Sequence, residues 1–211
     1  MIDDETVARV VEFHGHMCAG LALGIRAAEI ALAEVGRNRT GEDVVAVVET
    51  DMCAVDAIQF LTGCTFGKGN LVHRDHGKSA YTFIRRADGK AVRVSPRPDG
   101  PDGNDPIWLA LFARVRTGTA TAEDKAAFIA GQRQRSARIL EAPLDGLYEV
   151  RRVNVAAPPP ARVMASLDCD ACGERAAETR IRHLDGQSLC LPCFEDALAG
   201  DIRLSLMARS S

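Results

Sequence analysis

Apolar positions recur along the chain at helical steps in some stretches and as short β-branched runs in others, and these two patterns divide it into elements. Val7, Val10, Val11 and Phe13 supply one side of a first helix over residues 3–13, with Asp3 or Asp4 as its cap. A polar break at His14-Gly15-His16 separates it from a second helix over 19–35. There Leu21, Ile25, Ala28, Leu32 and Val35 recur at steps of three and four, and Gly36 suits the C-terminal cap. The β-branched run 44–49 predicts a strand. Residues 54–61 predict a short helix ended by Gly63, and 71–73 a short strand. Residues 80–86 and 91–95 flank Ala87-Asp88-Gly89-Lys90 and predict a hairpin.

Residues 96–106, rich in proline and glycine, predict a loop. Two helices are expected at 107–116 and 122–140, the second capped by Thr121 with Asp124 three residues on. Trp108, Leu111 and Phe112 have helical spacing and are expected in the core, whereas Arg133, Arg135 and Arg138 read as a solvated face. A strand is expected over 147–155. The run Ala156-Ala157-Pro158-Pro159-Pro160-Ala161 then favours extended polyproline II and reads as a stiff spacer. The expected organisation is therefore a core domain over 1–157, a proline-rich linker over 158–162 and a small unit over 163–211.

Charge and composition narrow the function classes. Lys+Arg is 26 and Asp+Glu 29, a net charge of −3, which argues against a strongly basic nucleic-acid binder. In the tail, Arg162, Arg175, Arg180, Arg182 and His183 are offset by nearby acids, so a solvated surface is the expectation there. No segment offers the roughly 18 continuous apolar residues of a membrane helix. The acidic N-terminus lacks a secretory signal, so a cytoplasmic location is expected. In such a reducing compartment the seven cysteines serve metal binding or chemistry more readily than disulfides.

Four of those cysteines form the sharpest chemical pattern. Cys169 and Cys172 are separated by two residues, as are Cys190 and Cys193, with 17 residues between the pairs. Each pair can turn both sulfurs toward one ion, and a four-thiolate set leaves no open position. A structural zinc site, holding together a segment too small for a large core, is the expectation. The second pair is placed at the start of a helix containing Phe194, Ala197 and Leu198. Upstream, His14, His16 and Cys18 alternate. In an extended stretch they would share one face, and imidazole with thiolate suits zinc and softer metals. The plainer reading is two capping or buried histidines and an inert thiol. Cys53, Asp56 and Gln59 follow at helical steps on one face, while Val55, Ile58 and Leu61 form the core-facing set. Cys64 fits either the site or the core. Residues 65–70 place Lys68 in a glycine-bearing loop that does not match a phosphate loop. Residues 73–78 read as a surface turn.

The strings Phe13–Gly24, with Phe-His-Gly-His-x-Cys-x-Gly-Leu-Ala-x-Gly, and Cys53–Asn70, with Cys-Ala-Val-Asp-Ala-Ile-Gln and Thr-Gly-Cys-Thr-x-Gly-Lys-Gly-Asn, resemble the two signatures of the FmdE family. That family takes its name from a component of molybdenum/tungsten formylmethanofuran dehydrogenase. The tail resembles the treble-clef zinc finger appended to many members. One departure is Ala19, where the family usually has proline. The resemblance implies an α+β fold: a core with an antiparallel or mixed sheet and packed helices, often homodimeric, plus the small finger. It also implies a metal-dependent active site at His16, Cys18, Cys53, Asp56, Gln59, Cys64 and Lys68, with His14 also matching the motif. The family name does not supply a substrate.

Three roles are compatible with these residues. One is a core metal site, zinc or another transition metal, on His16 and Cys18 with Cys53. Asp56 would be base or orienter, and Gln59 and Lys68 would steady an anionic or carbonyl ligand. Another is an accessory protein for a molybdenum or tungsten oxidoreductase, docking through the finger. The last is a metal-free redox pair of Cys18 and Cys53.

Overall fold

The computed structural model describes residues 2–38, 41, 43–98 and 106–208, with side chains described as far as residue 200. It divides into two compact units, Met1–Ala161 and Arg162–Ser211. The fold is mixed α+β. The first unit runs α1 (Asp4–His14), α2 (Ala19–Glu34), β1 (Val44–Val48), α3 (Ala54–Thr62), β2 (Leu71–His73), β3 (Tyr81–Arg85), β4 (Ala91–Pro96), α4 (Pro106–Arg116), α5 (Ala122–Glu141), the single turn α6 (Leu144–Leu147) and β5 (Tyr148–Arg152). Among the described residues no helix is long and apolar enough to cross a membrane. The expected loop between β4 and α4 lies largely at 99–105, outside the described residues.

Five strands form one mixed sheet in the order β2-β1-β3-β4-β5. The β1–β2 pair is parallel, because α3 supplies the crossover between them; the other neighbours are antiparallel. One face carries Val44, Ala46, Val48, Phe83, Val92 and Val94 into the core. Leu21, Ile25 and Ala28 of α2, Ile58 and Leu61 of α3 and Ile139 of α5 meet them there. Helix α2 is apolar nearly all round, as its central position requires. Tyr148, buried at the start of β5, donates its hydroxyl to the Leu23 carbonyl at 2.7 Å, tying sheet to helix.

The other face of the sheet is covered as well. Val45 and Ile84 are buried there, which explains why β1 reads as an unbroken apolar run rather than an alternating one. The stretch expected as a spacer contributes to this cover. Arg86 Nη1 donates to the Pro158 carbonyl at 2.6 Å, and Ala156 and Pro158 line a cavity with Thr82 and Ile84 of that face. Backbone that cannot pair through its own N–H groups still accepts from a neighbouring arginine, so the start of the proline run lies against the first unit.

Other expectations need correction. Helix α4 buries no residue. Trp108 stacks on Phe128 of α5 at 4.8 Å between centroids, under the Arg135 guanidinium at 4.7 Å, and Phe112 is 45% exposed. Of the two, α5 reaches the core, through Ser136 and Ile139, and α4 packs on α5. Phe13 is also exposed, its ring 5.7 Å from Phe60. The strand expected over 147–155 is shortened by α6 at its start and ends at Arg152. In the turn at 73–78, His76 Nδ1 lies 3.3 Å from Glu49, which also holds Arg93. Arg93 is the main reason the Glu49 carboxyl is pulled down to about 2.

The second unit is two hairpins and a helix. β6 (Ser166–Asp168) pairs with β7 (Arg175–Ala177), β8 (Ile181–Leu184) with β9 (Gln187–Cys190), and α7 (Leu191–Ala208) follows. This is the treble-clef arrangement. Cys190 ends the last strand and only Cys193 lies on the helix, a small correction to the expected placement of the second pair.

Candidate metal centres

The His-x-His-x-Cys run converges by turning rather than by extension. His14 is the last residue of α1. Gly15 adopts a left-handed φ of 97° and returns its N–H to the Val11 carbonyl at 2.7 Å. His16 and Met17 bridge to Cys18, the N-cap of α2, whose Sγ accepts the Leu21 N–H at 3.3 Å. Each of His14, His16 and Cys18 offers a ligand atom, and the three atoms lie within 4.8 Å of one another.

His14 is the most constrained of the three. Its Nδ1 lies 2.6 Å from Asp56 Oδ2, while its Nε2 is buried with no hydrogen-bond partner among the described residues. A carboxylate at Nδ1 fixes the proton there and leaves the Nε2 lone pair free, the arrangement of a metal-ligating histidine with its orienting acid. A buried acceptor without a partner otherwise costs about 1–3 kcal/mol. The donor set therefore fits an ion: one imidazole already oriented, a second imidazole and a thiol beside it.

Cys53 reaches the same place from α3. A Cβ built on Gly20 would lie 3.8 Å from both the Cys18 and the Cys53 sulfur, so the two thiols flank that glycine. Four residues along α2, a Cβ on Gly24 would run into the Ala54 backbone, 2.5 Å from its Cα. Only glycine there lets α3 approach closely enough to bring Cys53 to Cys18. Burial, and then the neighbouring Cys18 thiol, push the Cys53 thiol up.

The remaining residues implied by the resemblance sit elsewhere. Gln59 Oε1 accepts the Phe66 N–H at 3.1 Å, and Lys68 Nζ donates to the Gly63 carbonyl, so both hold the 63–70 loop. Cys64 is fully buried and donates to the Val44 carbonyl at 3.3 Å, and burial raises its pKa. His14, His16, Cys18, Cys53 and Asp56 are brought together; Gln59, Cys64 and Lys68 are not part of that group.

A cavity of about 470 Å³ opens on His16 and Cys18, walled on its far side by Phe128, Ile129, Gln132 and Arg133 of α5. Sequence reasoning placed Arg133 on a solvated face, and it is exposed, but the reasoning did not foresee that this stretch of α5 also lines the cavity. The residues recur at steps of one and four along α5, but nothing local links them to residue 16.

In the second unit, the ligand atoms of Cys169, Cys172, Cys190 and Cys193 lie within 4.8 Å of one another, with Cys172 and Cys190 Sγ 3.9 Å apart. A tetrahedral zinc with bonds of about 2.3 Å has sulfur–sulfur edges of about 3.8 Å, so the cluster fits that ion. Backbone N–H groups of Cys172 and then Cys190 pull the Cys169 thiol down to about 6. The Cys190 and Cys172 thiols push Cys193 up to about 12. Four sulfurs crowded this closely favour one shared cation over four protons.

Comparisons agree with this architecture. A family model described as "FmdE, Molybdenum formylmethanofuran dehydrogenase operon" matches residues 13–149, more than half of the chain. A protein of Archaeoglobus fulgidus named a probable S-adenosyl-L-methionine-binding protein is 35% identical over 192 residues, covering 88% of this chain and 51% of its own. The chain thus spans about half the length of that relative. The crystal structure of a tungsten formylmethanofuran dehydrogenase FmdE-like protein from Syntrophus aciditrophicus is similar at a TM-score of 0.59 and 25% identity, over 90% of each chain. With both signatures inside the matched span and the fold shared along the chain, this protein belongs to the FmdE family.

Proposed function

We propose that the core is a metal-dependent active site. In this reading His14 Nε2, His16 and the Cys18 thiolate hold a transition-metal ion, zinc by the donor types, with Cys53 beside it. Asp56 orients His14, and one coordination position faces the cavity. Such an ion supplies Lewis-acid polarisation of a carbonyl or a lowered pKa for bound water. The protein's own part is to fix the donors, keep one side dry with α2 and α3, and present a pocket to a small molecule. The four-cysteine cluster is a separate, closed structural zinc site. A reducing cytoplasm, where these thiols persist, suits both.

The observation that carries this reading is the buried, unpartnered Nε2 of His14 beside His16 and Cys18. Metal analysis of the full chain purified without chelator under anaerobic conditions tests it. Wild type is expected to hold two ions per chain and His14→Ala one. In Asp56→Asn the core ion is expected to bind about 10–100-fold more weakly. A single ion per chain in wild type, or no change in His14→Ala, would remove the reading. S-adenosyl-L-methionine, named for the Archaeoglobus relative, belongs among the small molecules to titrate against the loaded protein.

Helix α4 favours a second reading, an accessory role. Ile107, Leu109 and Phe112, with Ile129 of α5, are exposed apolar side chains on the α4–α5 pair, a surface that suits a protein partner. The partner would be a second copy of the chain or a component of a molybdenum or tungsten oxidoreductase. Sedimentation of wild type against Phe112→Lys separates a homodimer from a monomer awaiting another protein.

A further inference from the structure

The cavity beside His16 and Cys18 is asymmetric in chemistry. The α2 side offers the metal donors. The α5 side offers two apolar residues, Phe128 and Ile129, then an amide and a cation in adjacent positions. Gln132 Oε1 is buried and has no hydrogen-bond partner among the described residues. Its backbone carbonyl accepts from Ser136 Oγ at 2.8 Å, so the helix is satisfied and only the side-chain amide is left over. Arg133 makes no hydrogen bond, ion pair or ring contact among the described residues, unlike Arg135, which covers Trp108. Among the described residues no carboxylate lines the cavity; the acid in the site, Asp56, is engaged with His14.

From this we infer that α5 is the recognition wall of the core site and selects a small organic anion. The anionic head, a carboxylate or a phosphate ester, pairs with Arg133. A short apolar body lies along Phe128 and Ile129, and a hydroxyl or amine on that body donates to Gln132 Oε1. The inference deepens the metal-site reading and rests on it for the far end of the ligand, the end facing His16 and Cys18. The wall itself stands on α5 alone. A guanidinium without a partner at the mouth of a partly apolar pocket favours a planar or tetrahedral oxyanion over a neutral or cationic molecule. An amide acceptor stranded in the same pocket discriminates between a ligand that carries a donor and one that lacks it.

Titration of the cobalt-loaded full chain with four-carbon probes tests this, read by calorimetry and by the cobalt absorption bands. Butanoate and monobutyl phosphate are expected to bind and butylamine not, and the tighter of the two anions names the head group. Arg133→Gln is expected to weaken the anions about tenfold or more, with Arg133→Lys recovering part of the loss. 3-Hydroxybutanoate is expected to exceed butanoate in wild type, and Gln132→Leu to erase that difference. Equal affinity in wild type and Arg133→Gln, or butylamine binding as well as butanoate, would overturn the inference. Counting cobalt in wild type alongside this series separates the two readings. If wild type takes up no core equivalent but the Arg133 dependence persists by calorimetry, the metal site fails and the wall stands. If the core cobalt is present and the Arg133 dependence absent, the wall alone fails.

Discussion

The two cysteine-bearing clusters use the same chemistry and come to opposite designs. In the second unit four thiols close on one point from the β6–β7 turn, the end of β9 and the first turn of α7. All four donors are alike, and among the described residues nothing else enters the group. In the first unit the donors are mixed, come from α1, the α1–α2 turn and the start of α3, and face a cavity on one side. A closed and uniform set spends its whole coordination sphere on the protein. A mixed set held against an open wall leaves room for something else to bind. The comparison teaches that the reading of a metal site lies less in which ligands are present than in what stands opposite them.

The largest effect that would break this contrast is metal removal from the second unit. A four-thiolate zinc contributes about 10–16 kcal/mol of binding to a small domain, against a core of roughly 3–5 kcal/mol for a segment this short. Dialysis against a strong chelator, or Cys169→Ser, should therefore unfold residues 166–190. The expected readout is loss of amide-exchange protection in β8 and β9, with β1 and β3 unchanged. Protection in β8 and β9 that survives metal removal would make the four-cysteine cluster something other than the staple of its unit.

How far each cluster was legible follows from the same contrast. Four cysteines in two close pairs announce themselves because the turns that converge them are local. The helices α2, α3 and α5 were legible because their apolar steps are regular, and the Thr121–Asp124 capping box was visible as spacing before it was seen as hydrogen bonds. The core site was half legible. The His-x-His-x-Cys run showed its donors, but extension was the wrong geometry, since Gly15 turns the chain instead. The link from His14 to Asp56 spans 42 positions and the α5 wall more than a hundred, distances over which no spacing rule operates. Trp108 misled for a related reason. Helical spacing shows that a face is apolar, not which neighbour will cover it, and Trp108 of α4 meets Phe128 of α5 rather than the sheet core. The proline run speaks of backbone stiffness, and its contact with Arg86, 72 positions upstream, has no local signal.

The close crossing of α2 and α3 offers a way to sharpen the comparison within one unit. In Gly24→Ala the new methyl would meet the Ala54 backbone, which cannot rotate away as a side chain would. Helix α3 has to shift, at a cost of about 1–3 kcal/mol for overpacking, and Cys53 shifts with it. The denaturant midpoint should fall and core-metal affinity should drop, while the metal content of the second unit stays at one ion. An unchanged midpoint with unchanged core affinity would show that Cys53 does not depend on this contact.

The smallest effect separates two jobs that Cys18 performs at once. Its sulfur belongs to the donor group and also caps α2 by accepting the Leu21 N–H. A serine at this position keeps an N-cap acceptor but replaces a soft donor with a hard, neutral one; an alanine keeps neither. In metal-free protein, Cys18→Ser should therefore unfold within about 0.5 kcal/mol of wild type, and Cys18→Ala about 1 kcal/mol lower. Both should lose the core ion. Equal apo stability for the two variants would mean that the cap contributes nothing and that the thiol is positioned for metal alone. A retained core ion in either would mean that the two histidines, not the thiolate, set the affinity of the site.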